Sequence, residues 1–207
     1  MKALLGPDVI LGSLGSVVSL PGAEDQKVHQ DLVHIFDVPE VPEADPVLLS
    51  RLPAYAITMI VPLVPLNPIN GTTRMWPGSH RVPAQEARGR FPSVDPLAAT
   101  GECLLMDYRL LHGGTANVSE AVRPILYLVY YRPWFRDYSN FGKQDPIQIS
   151  EDEYARIPVQ YQHMFGWIWQ GARAYVRQAP PMGVRVRRGI RRRLDRLYQR
   201  LSRIVRR

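Results

Sequence analysis

Short apolar runs broken by Gly, Pro and Asn dominate the first two thirds of the chain. Residues 9–20 predict a β-strand, Pro21-Gly22 a turn, and residues 27–35 a second strand. Residues 38–53 carry four prolines and several acidic residues, which predicts a loop over whatever the strands hold. Residues 55–64 (YAITMIVPLV) are apolar enough for a buried strand, and Asn70-Gly71 marks a tight turn. Residues 81–99, with Pro83, Gly89, Pro92 and Pro96, predict an irregular excursion. Strands follow at 101–107 and 124–132. Many short strands with Gly/Pro turns indicate an all-β sandwich or barrel.

The pattern then changes. Ser150 with Glu153 three residues later is a capping-box signal for a helix start. The aromatic stretch 161–177 has the character of a short helix, and Pro180-Pro181 ends the body. Beyond it, Ile190, Leu194, Leu197, Leu201 and Ile204 recur at intervals of four and three, an apolar stripe on one helix face. The expected organisation is a domain over 1–183 and an Arg-rich amphipathic helical tail over 184–207.

Charge separates the same two parts. The formal net charge is +7, but residues 185–207 hold eleven Arg and one Asp, so the tail carries +10 and the rest of the chain −3. Four roles for the tail stay open: a peripheral helix on anionic lipid, a nucleic-acid contact, a partner helix, and a solvated extension. No aromatic-rich recognition motif accompanies the arginines, so nucleic acid is the least supported, and a weak electrostatic anchor on an anionic membrane surface is preferred. At 207 residues and 45% hydrophobic, the chain can bury a substantial core. The single Cys103 lies in an apolar run and is expected as a buried small hydrophobe; it suits a reducing compartment. The N-terminus superficially resembles a signal peptide, but Pro7 and Asp8 interrupt the apolar run. The expectation is therefore a cytoplasmic protein, with no run long enough to span a bilayer. Oligomeric state is not readable from the sequence.

The candidate chemistry lies in His29-Gln30-Asp31, with His112 and Arg123 far downstream. Side chains alternate along a strand, so residues 29 and 31 share a side. Two imidazoles and one carboxylate can occupy one face of an octahedral metal and leave the remaining positions open, the pattern of non-haem Fe(II) oxygenases. Arg123 opens an apolar run, where its planar fork suits a carboxylate ligand.

Three stretches, PGAEDQKVHQD (21–31), NGTTRMWPGSH (70–80) and GECLLMDYRLLHGGTANVSEAVRP (101–124), appear in the order and with the His-to-Arg interval of a known family. Over roughly residues 4 to 135 the chain resembles the phytanoyl-CoA dioxygenase family of Fe(II)/2-oxoglutarate oxygenases. The resemblance implies a mainly β, double-stranded β-helix (jelly-roll, cupin-like) core, with a C-terminal basic helix added here. It implies Fe(II), 2-oxoglutarate and O2 as cofactor and co-substrates, and hydroxylation of an unactivated C–H bond of a small organic substrate, with succinate and CO2 as co-products. It assigns His29, Asp31 and His112 as catalytic iron ligands, Arg123 to the distal carboxylate of 2-oxoglutarate, and Gln26 and Thr73 as further co-substrate contacts. Asp31 fills a position where related halogenases have a small residue, which favours oxygenation. Trp76, Tyr108 and Trp134 are candidates for the substrate pocket. Pro77-Gly78-Ser79-His80 is expected to be structural, with His80 a hydrogen-bonded turn residue. There are two departures. Gly114 stands where the family often has a Ser, and only 28 residues precede His29, where family members have a longer helical segment. Two alternatives remain: a non-catalytic jelly-roll binding module, and a membrane or nucleic-acid adaptor acting through the tail.

Overall fold

The computed structural model describes residues 1–32, 52–82, 87, 89–137 and 147–166. A short helix α1 (Lys2–Leu5) is followed by β1 (Ile10–Ser19), β2 (Ala56–Pro62), β3 (Thr73–Met75), β4 (Leu104–Asp107), β5 (His112–Gly114) and β6 (Arg123–Tyr131). Two short helices, α2 (Glu151–Arg156) and α3 (Val159–Gln162), close the described part, with 3-10 turns at Ser79–Arg81 and His163–Phe165.

Four strands form one antiparallel sheet in the order β1-β6-β2-β4. β3 and β5 form a smaller sheet. Isolated bridges widen it on both sides, His29 to His112 and Met75 to Val94. The two sheets enclose a cavity, as expected for the jelly-roll core. The period of two sorts the residues: on β6, Arg123, Ile125, Tyr127 and Val129 face the cavity. The opposite face of the larger sheet packs Ile57 and Tyr130 against Leu5 of α1 and Val9. Inside, Ile10, Tyr55, Tyr108, Val129, Tyr131 and Phe135 form the main apolar cluster. Fully burying side chains of this size contributes about 1.5–3 kcal/mol each.

Strand boundaries follow local chemistry. β2 stops at Pro62, which lacks the N–H needed to continue the ladder. β4 begins only at Leu104, because Gly101, at φ +94°, turns the chain just before it. Cys103 consequently lies between that turn and the strand and is exposed, not buried as expected. The strand expected at 27–35 is not a regular one: over 27–32 only His29 pairs, as an isolated bridge, and 33–35 lie outside the described residues. The Gln26 side chain, not a main-chain carbonyl, takes the Gly114 N–H there, which interrupts the ladder. At Ser150 the expected capping box is present: its hydroxyl accepts from the Glu153 N–H at 3.2 Å, and the Glu153 carboxylate accepts from the Ser150 N–H at 2.8 Å. α1 was not foreseen. Most of the Pro-rich loop expected at 38–53, the part of the helix expected over 161–177 that follows residue 166, the 183/184 boundary and the basic tail lie outside the described residues. Among the described residues no helix is long and apolar enough to cross a membrane.

Candidate metal centre

His29 and His112 face each other across the bridge and exchange both backbone hydrogen bonds, each 2.9 Å. Directly opposed residues of an antiparallel pair project to the same face, and the two ring centroids lie 4.4 Å apart. Asp31, two residues on, returns to that side. Its Oδ1 is 3.7 Å from His29 Nε2 and 3.6 Å from His112 Nε2. One ligand atom from each residue lies within 4.8 Å of the others, and no other such His/Cys/Asp/Glu group occurs among the described residues.

The remaining ring nitrogens set the tautomers. His29 Nδ1 is 2.8 Å from the Lys27 carbonyl and His112 Nδ1 is 2.9 Å from the Leu110 carbonyl. A carbonyl can only accept, so each Nδ1 carries the hydrogen and each Nε2 presents its lone pair toward Asp31. Ring orientation by a backbone carbonyl is the usual support of a metal-binding histidine. Burial pushes the Asp31 carboxyl up, against the pull of His112 and His29. Burial also pushes the His112 imidazole down, with Asp31 opposing. Two lone pairs and a carboxylate converging in a partly dry site are the donor set for one divalent cation.

The elements around the triad are held by Ser79, which the sequence marked only as structural, and by Trp76 and Asn117, for which it gave no such role. Ser79 is fully buried, and its hydroxyl accepts from the Leu111 N–H at 2.9 Å, one residue before His112. Trp76 N–H donates to the Leu111 carbonyl at 3.0 Å. Asn117, also fully buried, donates from its side chain to the carbonyls of Ser19 and Ala121, while its backbone bonds Ala23 and Gly22. Asn117 thereby holds the end of β1, and the segment leading to His29, beside β5. Nothing in the local pattern distinguishes this Asn from a turn residue; its partners are set by topology.

Arg123 is buried at the start of β6. Its Nη1 donates to the carbonyls of Asn70 (2.8 Å) and Thr115 (3.0 Å). Among the described residues no carboxylate pairs with it, and burial alone lowers its pKa. Gly71 makes room: at φ +81°, a Cβ there would lie 2.3 Å from Arg123 Nη1 and 2.4 Å from the Ala116 carbonyl oxygen. Asn70-Gly71 therefore does more than turn the chain. It supplies a carbonyl to the guanidinium and leaves the space the guanidinium fills.

A cavity of about 510 Å3 joins the triad to Arg123. Gln26, Thr73 and Tyr108 line it as expected, and so do Glu24, Thr58 and Tyr127, which the sequence did not single out. Tyr108 is buried and donates to Asp137 Oδ2 at 2.6 Å; burial pushes its pKa up. Gly15 lets the Tyr127 ring lie against β1, since a Cβ there would be 2.3 Å from the phenol oxygen. Two pocket candidates lie outside the described lining. Trp76 packs beside Val82, Ala87 and Leu111, outside the cavity lining. Trp134 is 64% exposed and stacks near Tyr55 and Phe135, also outside it. Gly114 leaves no hydroxyl at the position where the family often has Ser. The neighbouring Thr115 hydroxyl is held by the Thr72 backbone, so it does not substitute. His80 lies outside the ligand cluster, and its buried Nδ1 has no hydrogen-bond partner, contrary to the hydrogen-bonded turn residue expected.

The phytanoyl-CoA dioxygenase (PhyH) family profile matches residues 1–125. The chain belongs to the phytanoyl-CoA dioxygenase family. Among curated relatives it is 25% identical over 186 residues to dioxygenase af480 of Aspergillus fumigatus, covering 87% of this chain and 56% of that protein. It is 26% identical over 171 residues to dioxygenase FUM3 of Gibberella moniliformis, covering 80% and 52%. The chain thus spans about half the length of the curated relatives it matches. Among solved structures it is similar in fold to EvdMO1, with a TM-score of 0.52 and 23% identity over 64% of this chain and 29% of that one.

Proposed function

We propose that this protein is an Fe(II)- and 2-oxoglutarate-dependent oxygenase that hydroxylates an unactivated C–H bond of a small organic molecule. The observation that carries the reading is the convergence of two oriented Nε2 atoms and the Asp31 carboxylate in a cavity whose far wall holds a buried arginine without an acidic partner among the described residues. In this reading His29, Asp31 and His112 hold the iron on one face and leave its other positions to co-substrate and O2. Bound iron, 2-oxoglutarate and O2 supply the oxidation, with succinate and CO2 as co-products. Arg123 receives the distal carboxylate of 2-oxoglutarate through the donors that Asn70 and Thr115 leave free, and Gln26 and Thr73 flank that ligand. The apolar side chains around the triad exclude water and aim one C–H bond at the metal. For the tail beyond 183 we propose a weak electrostatic contact with an anionic surface, supported by its sequence alone.

Metal and co-substrate binding test this separately. Asp31→Ala should lower Fe(II) or Mn(II) affinity by more than about 100-fold, beyond the range for losing a supporting group. Arg123→Ala should keep the metal but weaken 2-oxoglutarate by roughly 1.5–3 kcal/mol. The first is read by calorimetric titration of Mn(II) into metal-free protein, the second by titration of 2-oxoglutarate into the Mn(II)-loaded protein. Wild-type Mn(II) affinity in Asp31→Ala would remove the triad assignment; unchanged 2-oxoglutarate affinity in Arg123→Ala would remove the arginine's.

A further inference from the structure

The described wall of the cavity contains one permanently charged cation, Arg123, and two carboxylates, Asp31 and Glu24. In the oxygenase reading Arg123 is matched by the distal carboxylate of 2-oxoglutarate, and Asp31 with the rest of that dianion balances a divalent metal. Among the described lining residues, Glu24 is then the charge left without a counterpart. The rest of the described wall mixes apolar side chains, among them Val17, Val18, Ile60 and Val129, with hydroxyls such as those of Ser13, Ser19, Thr58 and Tyr127. Resting on the oxygenase reading, we propose that the primary substrate is a small molecule carrying, beside an apolar part, a hydroxyl or amine whose hydrogen Glu24 accepts, and that acyl-coenzyme A thioesters and other anions are rejected.

The reasoning is electrostatic. An anion brought into an apolar cavity loses its hydration and must find a partner there. The described lining offers no second cation, and Glu24 adds like-charge repulsion at the end where a substrate's polar group enters. Glu24 is exposed, so it lies at the rim of the cavity. Arg74, which is not part of the lining, is engaged elsewhere: it is bonded to Asp95 at 2.7 and 2.8 Å and lies 3.9 Å from Asp25. A hydroxyl or ammonium donor meets the opposite situation, since it brings a hydrogen to an acceptor while its apolar body covers the valine and isoleucine side chains. The cavity volume lies within the range of about 300–1,000 Å3 typical of small-molecule sites, and part of it is taken by the co-substrate. Rejection of like charge is a common way for a site to be specific.

Four probes that share an eight-carbon chain isolate the head group: octanol, octylamine, octanoate and octanoyl-coenzyme A. Each is titrated against the full chain loaded with Mn(II) and 2-oxoglutarate, by equilibrium dialysis. Succinate release is measured in parallel with Fe(II). Octanol and octylamine should bind at least about tenfold more tightly than octanoate and octanoyl-coenzyme A, and should stimulate succinate release. Glu24→Lys should move the octanoate-to-octylamine preference toward octanoate by about threefold or more, the scale of an exposed charge pair, with 2-oxoglutarate affinity unchanged. Equal binding of the four, tighter binding of the thioester, no binding of any probe to protein that has taken up Mn(II) and 2-oxoglutarate, or an unmoved preference in Glu24→Lys overturns the proposal. Failure to take up Mn(II) and 2-oxoglutarate at all overturns the oxygenase reading beneath it, a different and separately visible result.

Discussion

At the scale of single residues, the site depends as much on what is missing as on what is present. Gly71 has no Cβ, and Arg123 occupies the space. Gly71→Ala must hold φ near +81°, which costs about 1–2 kcal/mol for a residue with a side chain, and its methyl meets a backbone carbonyl as well as the guanidinium. The expected outcome is a lowered Tm together with weaker 2-oxoglutarate binding, because whatever relieves the contact moves Arg123. A normal Tm and normal binding would mean that the turn relaxes without disturbing the arginine. His80 offers a pH test. Burial lowers its pKa from the ordinary histidine value. As pH falls below about 6.5, the unfolded chain takes up a proton that the folded protein does not. The unfolded state then binds more protons, so stability drops with pH across the window between 6.5 and the lowered value and is flat above it. His80→Gln should flatten this slope relative to the parent, as read from Tm between pH 5 and 7.5. An unchanged slope would place the titration elsewhere.

At the scale of elements, legibility divides by whether a segment's structure is decided locally. β1, β2 and β6 were readable to within a residue or two, because long apolar runs bounded by Pro and Gly have few other outcomes. The candidate ligands were readable for a related reason: His-x-Asp alternation fixes two of them on one side, and Arg123 in an apolar run lacked an evident local partner. The segment around His29 was read as a regular strand because its composition suits one. Its main-chain partners are instead shared with the Gln26 side chain, a choice made by β5, more than eighty residues away. Trp76 and Trp134 were misplaced because aromatic character does not say which side of a strand end faces the cavity. Ser79 belongs to this scale. Its hydroxyl ties a 3-10 turn to the residue before β5, so Ser79→Ala leaves the buried Leu111 N–H unpaired at about 1–3 kcal/mol. We expect lowered thermal stability and, because Leu111 precedes His112, a measurable loss of Mn(II) affinity by calorimetry. A stability loss with full metal affinity would show that the His29 bridge and the Leu110 and Trp76 contacts align His112 without Ser79.

At the scale of the whole molecule, charge is distributed so that chemistry and attachment can be separated. The residues proposed for metal and co-substrate all fall between 26 and 123, whereas the arginines of 185–207 follow Pro180-Pro181 and carry +10 against −3 for the rest. In the helix that the sequence pattern predicts there, Ile190, Leu194, Leu197, Leu201 and Ile204 would form a stripe that needs an apolar or interfacial surface to cover it, and the accompanying arginines favour one that is anionic. The full chain should therefore bind vesicles containing anionic lipid more tightly than a chain ending at residue 183. The difference should shrink as salt rises, because charges beyond a Debye length of about 10 Å at 0.1 M are screened. Mn(II) and 2-oxoglutarate affinities should be the same in both. Equal vesicle binding would assign the arginines another role. A shortened chain that stays folded but loses co-substrate affinity would instead mean that the tail packs on the domain and helps shape the cavity, joining the two parts that the charge pattern separates.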